Sequence, residues 1–321
     1  MAEAARAEKL MQEGFEQLRG GQLRAAERSA KKLIGLRHSS GFELLALVCA
    51  DRGEPEKAVG ILEEGVAKAP TVWLLWQLLG NLRSDLARYA GAEEAYRAAL
   101  RCAGVDRASV VLNLSILLQR QGKPEEALAA LRAVESEDPD LSLRLVTMRL
   151  SLLDETGARE EAIRIAEEAL SRWRDFDGDP GLLAELHAHL GRALWIARKD
   201  KEGAAEHAWK AIRLDATNGI ALWLVRELDG DKPKSSRHLR VEIQGEWSAA
   251  GDAAPSLKGF FRVYDVVADD PDEALAFIRR IEPEQVGASL RIERVEETDT
   301  GTAQPRGVYS MSGRIFFPAE G

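Results

Sequence analysis

The sequence predicts an all-α solenoid of helical hairpins followed by a small α+β domain, and three observations support this fold class. Apolar and small residues recur at an interval of 34 residues through the first two thirds of the chain. Glycine followed by a charged segment recurs inside each of these units. After Gly230 the pattern changes to strict alternation of apolar and polar residues, which is typical of half-buried strands.

The 34-residue interval links neighbouring blocks of the chain. Phe42 and Trp76 are 34 positions apart, as are Ala58 and Ala92. Such self-similarity indicates a repeat architecture, in which neighbours stack because one hairpin cannot bury its apolar face alone. The frame extends to six approximate units at 7–40, 41–72, 73–107, 108–142, 143–176 and 184–218.

The segments between the two helices of each unit share a pattern, seen in RGGQLRAAE, DRGEPEKAV, RQGKPEEAL and ETGAREEAI. Glycine near the end of the first helix suits a C-cap, where a left-handed backbone is needed. The charged residues that follow suit the start of the second helix. A further helix, 219–228, is expected to close the solenoid, which gives a first domain of 1–229.

With this spacing the chain resembles the tetratricopeptide repeat family over about two thirds of its length. The resemblance rests on the in-frame positions of Trp76, Leu79, Gly80, Ala92, Tyr96 and Ala99 and their equivalents. It implies a right-handed solenoid in which large residues pack against small ones of the paired helix. It also implies a concave groove, lined by the first helix of each hairpin, that binds peptides or partner domains.

The repeat frame places eight side chains on this groove: Gln77, Asn81, Asn113, Arg144, Thr147, Ser151, His189 and Arg192. One subset of the family clamps a C-terminal carboxylate, and Asn81, Asn113 and Arg144 fall on three of its positions. Gln77 and Met148 stand where cations are expected, so carboxylate capture would lose charge-assisted strength. Peptide binding of a more general kind, and a merely solvated concave face, are the alternatives.

The second domain, 239–321, follows a polar linker at 230–238. Strands are expected at 239–247, 259–267, 290–295 and 307–317, with a helix that begins at Asp270-Pro271. The predicted order is therefore β-β-α-β-β. Alternation places one set of aromatic residues, Phe260, Tyr264, Tyr309 and Phe316, on the face opposite to a second apolar set, Phe261, Val263, Ile315 and Phe317.

One helix can cover only one face of such a sheet, so the other face needs an explanation. It is solvated, it binds a partner, or it docks on the end of the solenoid. The predicted terminal helix, 219–228, contains Trp223 and is less polar than a solvated end of the solenoid should be. This composition favours docking of the sheet on that helix.

Composition argues against several classes of function. The net charge is −9 and no basic stripe occurs, so no nucleic-acid partner is expected. His187 and His189 point to different sides of a helix, and no cysteine or third histidine lies at metal-ligand spacing, so no metal site is expected. The sequence also contains no phosphate-binding loop and no nucleophile elbow, so neither a cofactor nor enzymatic activity is expected. The only two cysteines, Cys49 and Cys102, are expected to be buried thiols.

The N-terminus lacks an apolar signal core, and the longest apolar runs are about ten residues. The sequence therefore predicts a cytoplasmic protein that does not cross a membrane. The preferred function is a protein-interaction scaffold or adaptor that binds a peptide or domain in the groove. The alternative is a ligand-sensing regulator or enzyme accessory protein whose C-terminal domain carries the site. The sequence does not indicate the oligomeric state.

Overall fold

The computed structural model describes residues 2–229, 237–247, 257–298 and 304–318. The chain divides into two compact units, Met1–Glu137 and Asp138–Gly321. Most of the expected linker, residues 230–236, lies outside the described residues.

The first unit is a series of antiparallel helical hairpins. Within residues 2–137 its helices are α1 (Ala2–Arg19), α2 (Leu23–Gly35), α3 (Ser40–Asp51), α4 (Pro55–Lys68), α5 (Trp73–Asp85), α6 (Tyr89–Ala99), α7 (Arg107–Arg120) and α8 (Pro124–Leu131). Each odd-numbered helix pairs with the next even-numbered one. These pairs follow the 34-residue frame of the sequence.

Glycine holds the left-handed turn position in four of the six predicted units, whereas Ala87 in the third unit and Lys199 in the sixth hold it with φ of 56° and 55°. Gly53 ends the first helix of its hairpin with a φ of 73°, and Gly122 does the same with a φ of 69°. In the first case the N–H of Glu54 donates to the carbonyl of Cys49 at 2.9 Å, which satisfies an orphan carbonyl of the helix end. A proline then occupies the first turn of α4 and of α8.

The core of the first unit contains the large and small residues of the repeat pattern. Leu62, Leu75 and Leu79 are fully buried between helices. The ring of Tyr96 lies directly against Gly80, where an added Cβ would come within 2.6 Å of a ring carbon. The predicted packing of a large residue into a glycine of the paired helix is therefore present.

The second unit begins with two further hairpins and a terminal helix. These are α9 (Pro139–Glu155), α10 (Arg159–Arg172), α11 (Pro180–Ala193) with a π-helical turn (Leu194–Arg198), α12 (Lys201–Leu214) and α13 (Gly219–Asp229). Aspartate side chains cap α9, α11 and α12 by accepting hydrogen bonds from first-turn N–H groups.

The C-terminal part of this unit is an antiparallel sheet with one long helix. Its elements are β1 (Arg237–Glu246), β2 (Leu257–Ala268), α14 (Pro271–Ile281), a short α15 (Glu284–Gly287), β3 (Arg291–Thr298), β4 (Gly307–Met311) and β5 (Ile315–Pro318). The strand order is β3-β1-β2-β4, and β5 pairs with β2 beyond the end of β4. Asp270 caps α14 as expected, because its side chain accepts from the N–H of Glu273 at 2.8 Å.

Two details of the sheet differ from the prediction. The expected fourth strand, 307–317, is two strands, because residues Ser312–Arg314 turn away. Ser312 holds this break, since its N–H donates to the carbonyl of Val263 and its own carbonyl accepts from Arg262. In addition, positions 237 and 238, which we assigned to the linker, belong to β1.

The two faces of the sheet separate the aromatic residues largely as alternation predicts. Phe260 and Tyr264 are fully buried, and Phe316 lies opposite Phe260 in the register. Phe261 and Phe317 stack on the other face with ring centroids 5.0 Å apart.

Tyr309 is the exception to this separation. Its ring contacts His238, a β1 residue that alternates with buried Leu239, and it therefore lies on the face opposite to Tyr264. The register of β2 with β4 shifts between Asp265 and Val266, which interrupts simple alternation along β4.

The sheet docks on the terminal helix α13. Buried residues of α11, α12 and α13, such as Ile212 and Leu222, share one hydrophobic core with the sheet. Arg226, only 9% exposed, donates to the carbonyl of Val308 and lies 3.8 Å from the ring centroid of Tyr309. Arg226 therefore contacts the sheet. Trp223, the residue that led us to expect docking, instead lies beneath the guanidinium of Arg192.

Candidate interaction site

The structure brings two of the expected groove residues together. Asn81 projects from α5 and Asn113 from α7, and the Nδ2 of Asn113 donates to the Oδ1 of Asn81 at 3.2 Å. The same Oδ1 accepts from the hydroxyl of Tyr96 on α6 at 2.8 Å. We call the surface of α3, α5 and α7 centred on this pair the amide face.

These hydrogen bonds fix which atoms the pair offers to a ligand. An amide side chain has one acceptor oxygen and two N–H donors. The oxygen of Asn81 is already occupied twice, so its Nδ2 remains as a donor, and Asn113 correspondingly presents its Oδ1 as an acceptor. Neither of these two atoms has a hydrogen-bond partner among the described residues, and both side chains are partly exposed. The pair therefore offers one donor and one acceptor side by side.

Tyr96 is the residue that orients the pair, and sequence reasoning assigned it only a packing role. Its hydroxyl is a neutral donor, because burial and the nearby Asp85 raise the pKa of Tyr96 above its ordinary value. The repeat frame placed Tyr96 against Gly80 but gave no signal for the direction of its hydroxyl.

Polar and apolar side chains both surround the pair on these helices, and Ser84 and Asp85 follow Asn81 by about one turn. Gln77 precedes Asn81 by one turn and is only 9% exposed. Partly exposed aliphatic side chains lie one turn or less from the amides on the same helices, at Leu78 of α5 and at Leu112 and Ile116 of α7. A ligand at the amide pair would therefore contact apolar side chains.

Acidic residues of this face include Asp85 of α5, which lies one turn after Asn81 and is exposed, and Glu43 of α3, which is partly buried. Glu43 stands 34 residues before Gln77 and so occupies the equivalent position of the preceding repeat. Burial raises the pKa of its carboxyl group to about 6. No described residue hydrogen-bonds or ion-pairs with it.

The other candidates belong to the second unit. Arg144 is exposed on α9, and its carbonyl accepts from the hydroxyl of buried Thr147 at 3.2 Å. Glu185 of α11, which sequence reasoning missed, has a raised pKa because burial outweighs its hydrogen bond with Thr147. The three residues form one polar group on α9 and α11.

A second polar group of this unit surrounds Asp154 of α9. Arg192 pairs with Asp154 at 2.9 Å, and Arg159 approaches it at 3.3 Å. The pKa of His189 is lowered to about 4, chiefly by burial; Asp154 opposes this shift and Arg192 contributes to it. Ser151 is partly buried on the same helix as Asp154. Arg192 is therefore neutralised within the fold, and Asp154 is the partner that the sequence did not reveal.

The sequence predicts that His187 and His189 diverge, and His187 contacts a histidine of another helix. His187 meets His207 of α12, with Nδ1 atoms 2.9 Å apart and ring centroids 5.1 Å apart. Burial lowers the pKa of both, that of His187 to about 4. Within the described ranges, no group of three histidine, cysteine or acidic side chains could hold a metal ion.

The C-terminal domain contains a buried ionic network. Glu282, fully buried at the end of α14, accepts from Arg262 at 2.8 Å, from Arg314 at 2.6 Å and from the hydroxyl of Tyr264. Because these donors satisfy the carboxylate, its pKa is lowered despite the opposing effect of burial. The network ties β2, α14 and the β4–β5 turn together, which is a structural role.

Cysteine exposure follows the prediction in one of two cases. Cys49 is buried, whereas Cys102 is partly exposed, and both are free thiols. None of the helices in the described ranges combines the length and apolar character that crossing a bilayer requires.

Comparison with known proteins matches the repeat region. Residues 75–103 match a family model described as Tetratricopeptide repeat. The chain is similar in structure to PilF of Pseudomonas aeruginosa, with 16% identity and a TM-score of 0.54 over 71% of this chain and 100% of that one. No curated protein matches the sequence.

Two further solved structures are similar to this chain. One is a chain of the APC/C hetero-tetramer Cut9-Hcn1, with 14% identity and a TM-score of 0.50 over 69% of this chain and 42% of that one. The other is YrrB, described as a TPR protein with an unusual peptide-binding site, with 22% identity and a TM-score of 0.46 over 58% of this chain and 91% of that one. The described helical hairpins therefore share the tetratricopeptide repeat fold, and residues 75–103 match the model of that family.

Proposed function

We propose that this protein is a non-catalytic scaffold or adaptor that binds an extended segment of a partner protein on the amide face. One observation carries the proposal: the oriented pair of Asn81 and Asn113, with one unused donor and one unused acceptor. One residue of an extended segment presents the complementary groups, its own carbonyl and its own N–H, on the same side of the chain. The Nδ2 of Asn81 would donate to that carbonyl, and the Oδ1 of Asn113 would accept from that N–H.

Preorganisation supports this role for the amides. Tyr96 and the contact between the two side chains hold them before any ligand arrives, so little conformational entropy is lost on binding. The aliphatic side chains around the pair would add apolar contact without demanding one ligand sequence. Binding would therefore depend on backbone hydrogen bonds together with apolar burial.

Capture of a terminal carboxylate receives less support from the first unit. Gln77 stands at an expected cationic position, is nearly buried and carries no charge. Arg144, the matching basic residue, belongs to the second unit. An internal peptide segment uses both the donor and the acceptor of the amide pair, whereas a carboxylate only accepts.

The C-terminal domain is proposed as a second interaction element. Ile315 is 71% exposed and Phe316 is 40% exposed on the short outer strand β5. Large exposed apolar residues on a strand edge are typical of contact surfaces. We place the protein in the cytoplasm, which its two unpaired thiols support.

The test uses a substitution that changes the offered atoms and keeps the internal ones. Asn81→Asp retains an oxygen for Tyr96 and Asn113 but replaces the outward donor with a second acceptor. The matched control is Glu94→Gln, an exposed residue of α6. Both variants and the unaltered chain are immobilised, and captured host proteins are identified by mass spectrometry.

We expect the control to keep the captured partners and Asn81→Asp to lose them by tenfold or more. Circular dichroism then verifies that both variants retain the fold. Capture that is equal for all three proteins would overturn the assignment of the binding site to the amide face.

A further inference from the structure

We infer that the amide face selects segments that carry a lysine or arginine about three residues from the residue whose backbone N–H and carbonyl are held by Asn113 and Asn81. This inference rests on the proposed function and adds the chemistry of the ligand. Its source is Glu43, an acidic side chain on the same face with no internal partner.

The position of Glu43 follows from the repeat frame and the described helices. Glu43 on α3 is equivalent to Gln77 on α5, and Gln77 lies one turn before Asn81. Adjacent helices pack about 8–10 Å apart, and one helical turn rises about 5.4 Å. Glu43 therefore lies on the order of 10 Å from the amide pair, the length of about three residues of extended chain.

The environment of Glu43 makes a ligand cation favourable. Its neighbours on α3 are largely apolar, since the helix reads SGFELLALVCAD, and the side chain is only partly accessible. A carboxylate that loses hydration without gaining a partner raises the free energy of the ionised form. An incoming ammonium or guanidinium group would supply the missing partner and restore charge balance.

The other carboxylates of the unit contrast with Glu43. Glu27 is paired with Lys31 and Arg52, Glu63 with Arg83, and Glu93 with Arg97 and Lys123. These acids are balanced inside the fold and offer little to a ligand. Exposed acids of the unit, such as Asp85 and Glu94, also lack an ion pair among the described residues, but water solvates them. Glu43 differs because it is both unpaired and partly buried, so a ligand cation can complete it.

The ligand class follows from these groups. It is an extended peptide segment with apolar side chains for the aliphatic surroundings, a residue with a free backbone N–H and carbonyl for the amides and one basic side chain for Glu43. An acidic segment would place like charges together and be rejected.

The probe is a phage-displayed library of random twelve-residue peptides, selected on the full-length protein. We expect selected peptides to share one basic position flanked by apolar residues and to lose binding to Asn81→Asp. Glu43→Gln should weaken a selected peptide about tenfold, and Glu43→Lys should shift selection toward acidic residues. Glu94→Gln serves again as the control.

A double-mutant cycle between the lysine of one synthetic peptide and Glu43 gives the sharpest test. Replacing its lysine with norleucine should weaken binding to the unaltered protein about tenfold and leave binding to Glu43→Gln nearly unchanged. Selected peptides without a shared basic position, or equal binding to Glu43→Gln, would overturn this inference while the proposed function stands. If no peptide shows binding that depends on Asn81, both are overturned.

Discussion

Replacing Gly80 with alanine should destabilise the first unit, whereas the same replacement at Gly60 should stabilise it. Both glycines lie inside helices, Gly80 in α5 and Gly60 in α4. A Cβ at Gly80 would lie 2.6, 2.7 and 3.0 Å from three ring carbons of Tyr96, whereas a Cβ at Gly60 would meet nothing within 4 Å. The two substitutions are therefore chemically identical and differ only in their surroundings.

The magnitude follows from three contributions. Alanine favours the helix by about 0.8–1.0 kcal/mol at both positions. At Gly80 the displaced Tyr96 ring costs roughly 1–3 kcal/mol of overpacking. If the ring moves, its hydroxyl also leaves Asn81, which costs about 1–3 kcal/mol for a buried unsatisfied group. The expected net effects are a loss of roughly 1–5 kcal/mol at Gly80 and a gain of up to about 1 kcal/mol at Gly60.

Urea denaturation followed by circular dichroism measures both effects, and hydrogen exchange of α5 and α6 peptides locates them. Tyr96→Leu provides the control, because it removes the ring atoms that an alanine at position 80 would meet. In that background Gly80→Ala should no longer destabilise. A Gly80→Ala protein as stable as Gly60→Ala would refute the reasoning.

Three further predictions concern other parts of the molecule. Gly307→Ala should cost about 2 kcal/mol or more in urea denaturation, because Gly307 has a φ of 128° and an added Cβ would lie 2.9 Å from the Cγ of Arg226; unchanged stability would contradict this. Glu43→Gln should stabilise the fold at neutral pH: a carboxyl pKa raised to about 6 corresponds to about 2 kcal/mol when fully shielded, which we halve to about 1 kcal/mol because solvent reaches the group. The pKa of Glu43 is higher in the folded protein than in the unfolded chain, so the gain in the free energy of unfolding should be complete above pH 6 and should vanish as the pH falls toward 4.5. A gain that persists at pH 4 would contradict this prediction. His189, with its pKa lowered to about 4, should act in the opposite direction: the unfolded chain binds the proton first, so stability falls from pH 6.5 toward pH 4, by at most about 1.4 kcal/mol per pH unit. His189→Gln should flatten that slope in urea titrations at stepped pH, and an unaltered slope would exclude His189 as its cause.

The helical repeats could be predicted from the sequence because their determinants are local. A hairpin of this kind needs apolar and small residues at fixed spacing within one unit, and a left-handed residue, most often glycine, where the first helix ends. Gly53 and Gly122 satisfy this requirement with left-handed backbones. The same spacing recurs in six units, so a weak match in one unit does not displace the boundaries predicted for the others.

The sheet was harder to predict because its register depends on distant residues. The break at Ser312–Arg314 is held by contacts with Val263 and Arg262, about 50 positions earlier in the chain. Nothing in the local alternation of 307–317 reveals those partners. The exceptional position of Tyr309 likewise follows from a register shift on the neighbouring strand β2.

At the candidate site, the sequence likewise predicted the positions of residues within one repeat but not their contacts with other helices. The repeat frame located Asn81 and Asn113, but their mutual hydrogen bond depends on how two neighbouring repeats stack. The pairing of His187 with His207 and the partner of Arg192 also arise across helices, so spacing within one helix could not reveal them. The position of Glu43 was in the frame, whereas its burial and lack of a partner were visible only in the fold.

Asn81 combines a structural and a binding role in different atoms of one side chain. Its Oδ1 accepts from Tyr96 and Asn113 inside the fold, and its Nδ2 faces outward as a donor. An alanine there would remove both roles and would leave the buried Tyr96 hydroxyl without a partner, so lost binding could reflect lost structure. Aspartate keeps the oxygen that Tyr96 and Asn113 use, and it exchanges the Nδ2 donor for a charged acceptor. Comparing the two variants therefore separates binding from stability: equal losses of binding with unequal losses of stability would assign the interaction to the Nδ2 group of Asn81.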